Sequence, residues 1–268
     1  MSRNAPDERS HTAFTTWWAG TRNIELWGTL AWYDIVLRYR RSLLGPLWLT
    51  ISTGLMLVGM GPLYAMLLGV PIGQFFPHLT LGIIFWSFFT SAITEGCSTF
   101  YTSGQYLKQP GFPAVAIVWR CLARNVIQLA HTIILFIPVA VWFRVPVTLN
   151  VLAFIPGFLV VIVNLHATML TIGVLTARFR DVAQIVNSVL TLLLFLTPVF
   201  WLPDTLPHRA RFVLWNPFAH MLAVVRMPLL GSWPTGDTVA YLTVVTVINV
   251  AIAATVWCTT RRKLVFWV

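Results

Sequence analysis

Charge is what this sequence has least of: 10% of its 268 residues are Asp, Glu, Lys or Arg, against about 25% in an ordinary soluble domain. Acidic side chains number only eight. A soluble chain of this size needs far more charge to cover its surface, and a disordered one carries far less apolar content, so both classes are excluded. Lysine is nearly absent; Lys108 and Lys263 are the two examples, and neither follows a glycine. The phosphate-cradling sequence G-x-x-x-x-G-K-[ST] is therefore missing, and Gly59 and Gly61 run into a proline where a dinucleotide fingerprint would continue. If transport is driven by ATP, a separate subunit must hydrolyse it. Three cysteines, Cys97, Cys121 and Cys258, are an odd number without metal-ligand spacing, each in or beside an apolar segment. They read as small packing residues, with no disulfide framework and no zinc site. The first twenty residues lack an apolar stretch, so no cleavable signal peptide is expected and insertion relies on the first span.

Apolar length is what the sequence has in abundance. Hydrophobic residues make up 57% of the chain, and six segments, 43–69, 79–100, 115–143, 151–175, 182–201 and 239–259, reach the roughly 20 residues that a bilayer core of about 30 Å requires. The expected fold is an all-α membrane protein of six transmembrane helices, the third and fourth joined as a tight hairpin across 144–150. Of the 18 Lys and Arg, fourteen fall on one side of this arrangement and only Arg144, Arg209, Arg211 and Arg226 on the other. Basic residues stay on the cytoplasmic side of a membrane, so both termini are expected in the cytoplasm. The net charge of +10 then reports orientation and contact with anionic membrane lipid, and nucleic acid is not an expected partner.

Two regions outside the spans look organised. In 22–41, Ile24, Gly28, Ala31 and Ile35 form one apolar stripe at helical spacing and Leu26, Leu30, Tyr33 and Leu37 another, with Asn23, Asp34, Arg38 and Arg41 between them. Two apolar flanks around a charged strip suit a helix at the cytoplasmic interface, partly against the bundle. The alternative is a solvated basic arm. The second region is 202–238, too apolar for a free loop and cut into helix-length pieces by Pro203, Pro207, Pro217, Pro228 and Pro234. Short re-entrant helices on the outer side account for it, with a lipid-surface loop as the alternative.

Ionisable groups inside spans are functional candidates by default. Glu95, His131 and His166 are the three that lie well inside, on three different helices. They are too thin a set for a proton relay or a catalytic site. The preferred reading puts Glu95 near the cytoplasmic end of its helix, within reach of water or an arginine, and has the histidines hydrogen-bond across helices. Asp181, after Arg178 and Arg180, fits a local ion pair, a helix cap or a contact surface for a partner. The aromatics, 13 Trp, 6 Tyr and 18 Phe, suit interfacial belts, and flat rings also stack on sugar faces.

Several pieces, in order, resemble the permease subunit of type-2 ABC exporters for polysaccharides, the family that exports O-antigen, capsule and teichoic acid chains. They are Leu37-Arg38-Tyr39-Arg40-Arg41-Ser42-Leu43-Leu44-Gly45-Pro46-Leu47-Trp48; Ala177-Arg178-Phe179-Arg180-Asp181-Val182; Leu196-Thr197-Pro198-Val199-Phe200; Trp215-Asn216-Pro217-Phe218-Ala219-His220 with Val225-Arg226-Met227-Pro228-Leu229-Leu230-Gly231; and the basic, aromatic end from Arg261 to Trp267.

The resemblance implies a division into a polar arm at 1–21, an interfacial helix at 22–42, a six-span permease domain at 43–260 and a basic-aromatic cytoplasmic tail at 261–268. Within the permease domain it implies a loop at 101–114 that docks on the ATPase and an outer gate loop at 202–238. Gln105, Lys108, Phe112, Pro113, Arg178, Arg180 and Asp181 are then the candidate coupling residues, although Gln109-Pro110-Gly111 departs from the family's pattern. Asn216, Pro217, His220 and Arg226 are candidate outer-gate residues. Arg38, Arg40 and Arg41 are placed at the cytoplasmic entrance, to attract the pyrophosphate of a lipid-linked glycan. The implied assembly has two permeases and two ATPase subunits in a bacterial inner membrane. Its substrate is an undecaprenyl-pyrophosphate-linked polysaccharide, with O-antigen favoured by the Arg226–Gly231 motif. This chain binds no cofactor of its own; ATP and magnesium belong to the partner. The rival readings are a membrane-embedded glycan or acyl transferase and a lone secondary transporter.

Overall fold

The computed structural model describes residues 13–45, 47–203 and 211–268. The outer-loop stretch 204–210, with Pro207 and Arg209, lies outside the described residues, as do Arg3, Arg9 and Pro46. Among the described residues every regular element is helical. In chain order they are α1 (Ala13–Arg22), α2 (Ile24–Tyr39), α3 (Leu47–Leu68), α4 (Ile72–Ser98), α5 (Gly104–Leu107), α6 (Val115–Thr132), α7 (Phe136–Trp142), α8 (Phe154–Arg178), α9 (Val182–Leu196), α10 (Arg211–Leu214), α11 (Pro217–Leu229) and α12 (Gly236–Trp267).

Five stretches are long and apolar enough to cross a membrane: α3, α4, α6 continued by α7, α8 with the turn before it, and α12. The expected fifth span, 182–201, is different. Its helix stops after 15 residues at Leu196, about 22 Å of rise, because Pro198 cannot extend the hydrogen-bond ladder. The remaining residues to Trp201 continue as irregular chain. Two more expectations shift. The described end of the 1–21 arm is helical, and the 261–268 tail is the continuation of α12.

The chain groups its loops at two opposite ends. At one, Arg178 of α8 lies over the Trp267 ring of α12, Arg180 lies over Tyr101, and a cavity of about 540 Å³ is shared by α1, the 107–114 turn and the end of α12. At the other, Asn150 donates to Gly231 O at 2.7 Å, joining the 144–150 hairpin to the loop before α12. The arginine-rich segments cluster at the first end.

α4 is the central helix: 78% of its apolar window is buried inside the protein, against 17% for α3 and 11% for α12. In a bilayer the outward Leu and Val of α3 and α12 gain nothing by packing, so helices associate through small residues and polar contacts. At the α4–α8 crossing, Gly173 faces Gly96 O and the Phe100 ring. Between α8 and α12, Asn164 Nδ2 donates to Thr246 Oγ1 at 2.7 Å, while Asn249 Nδ2 donates to Asn164 O and to Thr168 Oγ1, each at 3.0 Å. Where α11 lies across α8, a Cβ added to Gly157 would sit 2.6 Å from Val224 O. Gly157→Ala therefore forces the two backbones apart. It is expected to lower the detergent-solubilised protein's melting temperature, at a cost of about 1–3 kcal/mol. Gly28→Ala, with nothing within 4 Å of the new carbon, is the matched control and should leave melting unlowered or slightly raised, since alanine is the better helix former.

Candidate functional site

Of the charged strip of α2, Asp34 turns inward, while Arg38 reaches Glu95 and stays partly exposed. Asn23 caps the helix by accepting from Leu26 N at 3.3 Å, and Ala31 and Ile35 are buried, which turns Asp34 and Arg38 toward α4 and α6. Arg120 and Arg124 lie one turn apart on α6, so both guanidiniums point the same way. Asp34 receives Arg120 Nη2 at 2.5 Å on one oxygen, and Arg120 Nε at 2.8 Å and Arg124 Nη1 at 2.9 Å on the other. Arg124 Nη2 reaches on to Glu95 of α4 at 2.6 Å, where Asn125 Nδ2 also donates at 2.8 Å and Arg38 Nη2 closes the ring at 3.4 Å. Burial pushes the Asp34 carboxyl up, but the hydrogen bonds and charges of Arg120 and Arg124 outweigh it and hold the group below its ordinary value.

The same cluster touches the loop between α4 and α6. Arg120 lies over the Tyr106 ring at 5.0 Å, and Tyr106 packs on Phe112 at 5.5 Å between centroids. That loop is one short 3₁₀ turn, Tyr101–Ser103, followed by the four-residue α5; Gly111 then takes φ +77° to break the chain direction. Gln105 and Lys108 are exposed on it, while Phe112 and Pro113 turn inward to line the larger cavity. Arg178, Arg180 and Asp181 are exposed at the α8–α9 corner beside it. Asp181 sits at the N-cap of α9, but its side chain makes no capping bond. The 101–113 loop, the 178–181 corner and the end of α12 thus form one continuous face.

The candidate outer residues are internal struts. Asn216 caps α11 by accepting from Phe218 N at 3.0 Å, and its amide donates to Thr197 Oγ1 at 2.9 Å. Pro217 occupies the first turn of α11, where its missing N–H costs nothing. His220 stacks on Tyr241 at 4.2 Å and reaches Leu214 O and Thr238 Oγ1. Arg226, 5% exposed, donates from Nη1 to Pro198 O at 2.7 Å and to His78 Nε2 at 2.9 Å.

Of the entrance arginines, Arg38 is committed to Glu95, while Arg40 and Arg41 are exposed just beyond α2. Glu95 finds arginines, as its position promised. The histidines do not hydrogen-bond across helices through their rings. His131 Nδ1 meets Ile127 O of its own helix at 2.7 Å, and His166 stacks on Trp119 at 4.2 Å. Glu95, His131 and His166 share no contact among the described residues, so they form no joint site. The sequence reading missed Asp34, Arg120, Arg124 and His78 as interacting groups. The four-residue spacings Asp34–Arg38 and Arg120–Arg124 were the available signal; nothing local marks His78.

Asp34→Asn removes the acceptor shared by two arginines. At neutral pH it is expected to cost about 1–4 kcal/mol, between the values for exposed and buried pairs, read as a lower melting temperature. The folded-state value is depressed, so the carboxylate's contribution is complete above the ordinary range and is lost as pH falls through the folded value. The gap between wild type and variant should therefore be constant from pH 5 to 8 and close below about pH 4.

Two comparisons bear on this architecture. The family model for the ABC-2 type transporter matches residues 25–230, from α2 through α11. O-antigen export system permease protein RfbA from Klebsiella pneumoniae is 25% identical over 197 residues, covering 70% of this chain and 74% of that protein. The protein of the same name from Myxococcus xanthus is 24% identical over 196 residues, with the same coverage. α2, the clustered charges, the 101–113 loop, the 178–181 corner and α11 all fall inside the matched region, and the chain belongs to the ABC-2 type transporter family as a multi-pass permease.

Proposed function

We propose that this permease exports a lipid-linked polysaccharide across a bacterial inner membrane, driven by ATP hydrolysis on a separate subunit. O-antigen is the favoured cargo, because the relatives named above are O-antigen export permeases. The working unit is two copies of this chain and two ATPase subunits, with ATP and magnesium held by the latter. The arginine-rich end faces the cytoplasm.

The observation that carries this reading is the continuous exposed face made by the 101–113 loop, the 178–181 corner and the end of α12. These segments are far apart in sequence, and Gln105, Lys108, Arg178, Arg180 and Asp181 are exposed on them. A flat, polar, basic face at the cytoplasmic end of a bundle suits a soluble subunit. Phe112 and Pro113 support the loop from behind. Arg40 and Arg41, free of the ring that holds Arg38, stand at the membrane level where a pyrophosphate headgroup travels, and bidentate guanidinium contacts suit it. On the outer side Asn216, Pro217, His220 and Arg226 fix the re-entrant helix that closes the path.

Two experiments test this. Lys108→Glu with Arg180→Glu should cut recovery of the ATPase with the tagged permease by at least about tenfold, since each reversed charge opposes the docking partner. Unchanged recovery removes the docking face. Arg40→Gln with Arg41→Gln should lower glycan export at the cell surface while ATPase recovery stays at the wild-type level. Undiminished export would end the entrance assignment.

A further inference from the structure

Beneath the Asp34–Glu95 ring lies a polar cavity of about 190 Å³, closed on one side by α4 and α6 and on the other by the loop that follows α4. Hydroxyls of Ser98, Thr102, Ser103 and Tyr106 line it, together with Arg120 and Arg124. Glu95 stands at its edge.

The charges around it do not balance. Arg38, Arg120 and Arg124 face Asp34 and Glu95, three cations against two anions. Every carboxylate oxygen is already engaged. Both Asp34 oxygens accept from guanidiniums, and both Glu95 oxygens accept from Arg38, Arg124 and Asn125. Donors remain. The Arg124 Nε–H is buried without an acceptor among the described residues, and Arg120 bonds Asp34 only through Nε and Nη2. A buried guanidinium N–H left unpaired is costly, and the net positive charge around it adds to that cost.

We propose that this cavity holds a phosphate group, which supplies the missing negative charge and the acceptor oxygens, with the Ser103 and Tyr106 hydroxyls completing its shell. The volume admits a tetrahedral oxyanion. Arginine with hydroxyl donors is the donor set that phosphate chemistry calls for. The phosphate comes either from a lipid headgroup, the substrate's carrier included, or from free cytoplasmic phosphate. Only the substrate version rests on the export reading; binding itself rests on these side chains. Because Tyr106 and Ser103 belong to the loop face described above, occupancy of the cavity also braces that face against α6.

The test uses the full chain purified in detergent and melted at fixed ionic strength, with chloride as the reference salt. Three additions are compared: inorganic phosphate, the short-chain lipid dihexanoyl phosphatidate, and the matching diacylglycerol without phosphate. Saturable stabilisation of about 2–4 °C by phosphate, by phosphatidate or by both is expected, and none from the diacylglycerol. Stabilisation by phosphatidate alone assigns the lipid source; stabilisation by inorganic phosphate assigns the free one. Arg120→Gln should abolish the effect but also loosens Asp34, so the deciding variant is Thr102→Asp, which leaves the ion pairs intact. Its carboxylate replaces the ligand, so the variant should melt higher than wild type in chloride and respond to no addition. The proposal is overturned if neither phosphate compound stabilises the wild type, if Thr102→Asp lowers the melting temperature, or if that variant still responds. None of these outcomes alters the ATPase-recovery result on which the export reading stands.

Discussion

A helix that precedes the first long apolar helix is free to slide or lift unless something other than burial fixes it to its neighbours. Here one carboxylate does so. Asp34 takes three N–H donors from two arginines on α6, and the second of those arginines carries the contact to Glu95 on α4. Three elements that meet nowhere in sequence are therefore set relative to one another by five charged side chains. The loop after α4 inherits its position from the same cluster, since Tyr106 lies under Arg120. The arrangement is stable only with all its members present, because half of such a network is worse than none.

The opposite end solves a different problem, the unpaired carbonyls left where a helix stops. α9 ends at Leu196, and the next backbone oxygens each find a donor from elsewhere. Phe195 O accepts Trp201 Nε1, Leu196 O accepts the Asn216 amide, and Pro198 O accepts Arg226. α11 thus repairs the end of α9 while Asn216 caps α11 itself. The break in the helix and the buried arginine are parts of one device. His78, supplied by α4, takes the neighbouring Arg226 contact.

Much of this was legible in the residues. Apolar length found the spans, and the two stripes of 22–41 found α2, because both signals are local. Gln109-Pro110-Gly111 marked a broken loop, and the positive φ of Gly111 is the reason. The length of α9 was overread, since 182–201 is apolar throughout and hydropathy does not register that Pro198 removes a donor. The charge ring was half visible. Four-residue spacing put Arg120 with Arg124 and Asp34 with Arg38, but only the fold brings α2 against α6. The pairing of His78 with Arg226 spans 148 positions and left no local trace. The candidate outer-gate residues Asn216, Pro217, His220 and Arg226 all lie on or cap α11, where they act as struts.

α12 runs unbroken for 32 residues, with neither proline nor glycine after Gly236. That is about 48 Å of rod against a bilayer core of about 30 Å. Such a helix cannot bend to accommodate a change at one end; it pivots. Turning about its middle, where Asn249 grips α8, a tilt of about 5° carries each tip roughly 2 Å, in opposite directions. The tip bearing Trp267 leans on Arg178, and the other follows the loop that Asn150 holds at Gly231. Moving one tip of such a rod would move the other in the opposite direction, with the asparagine pair as fulcrum.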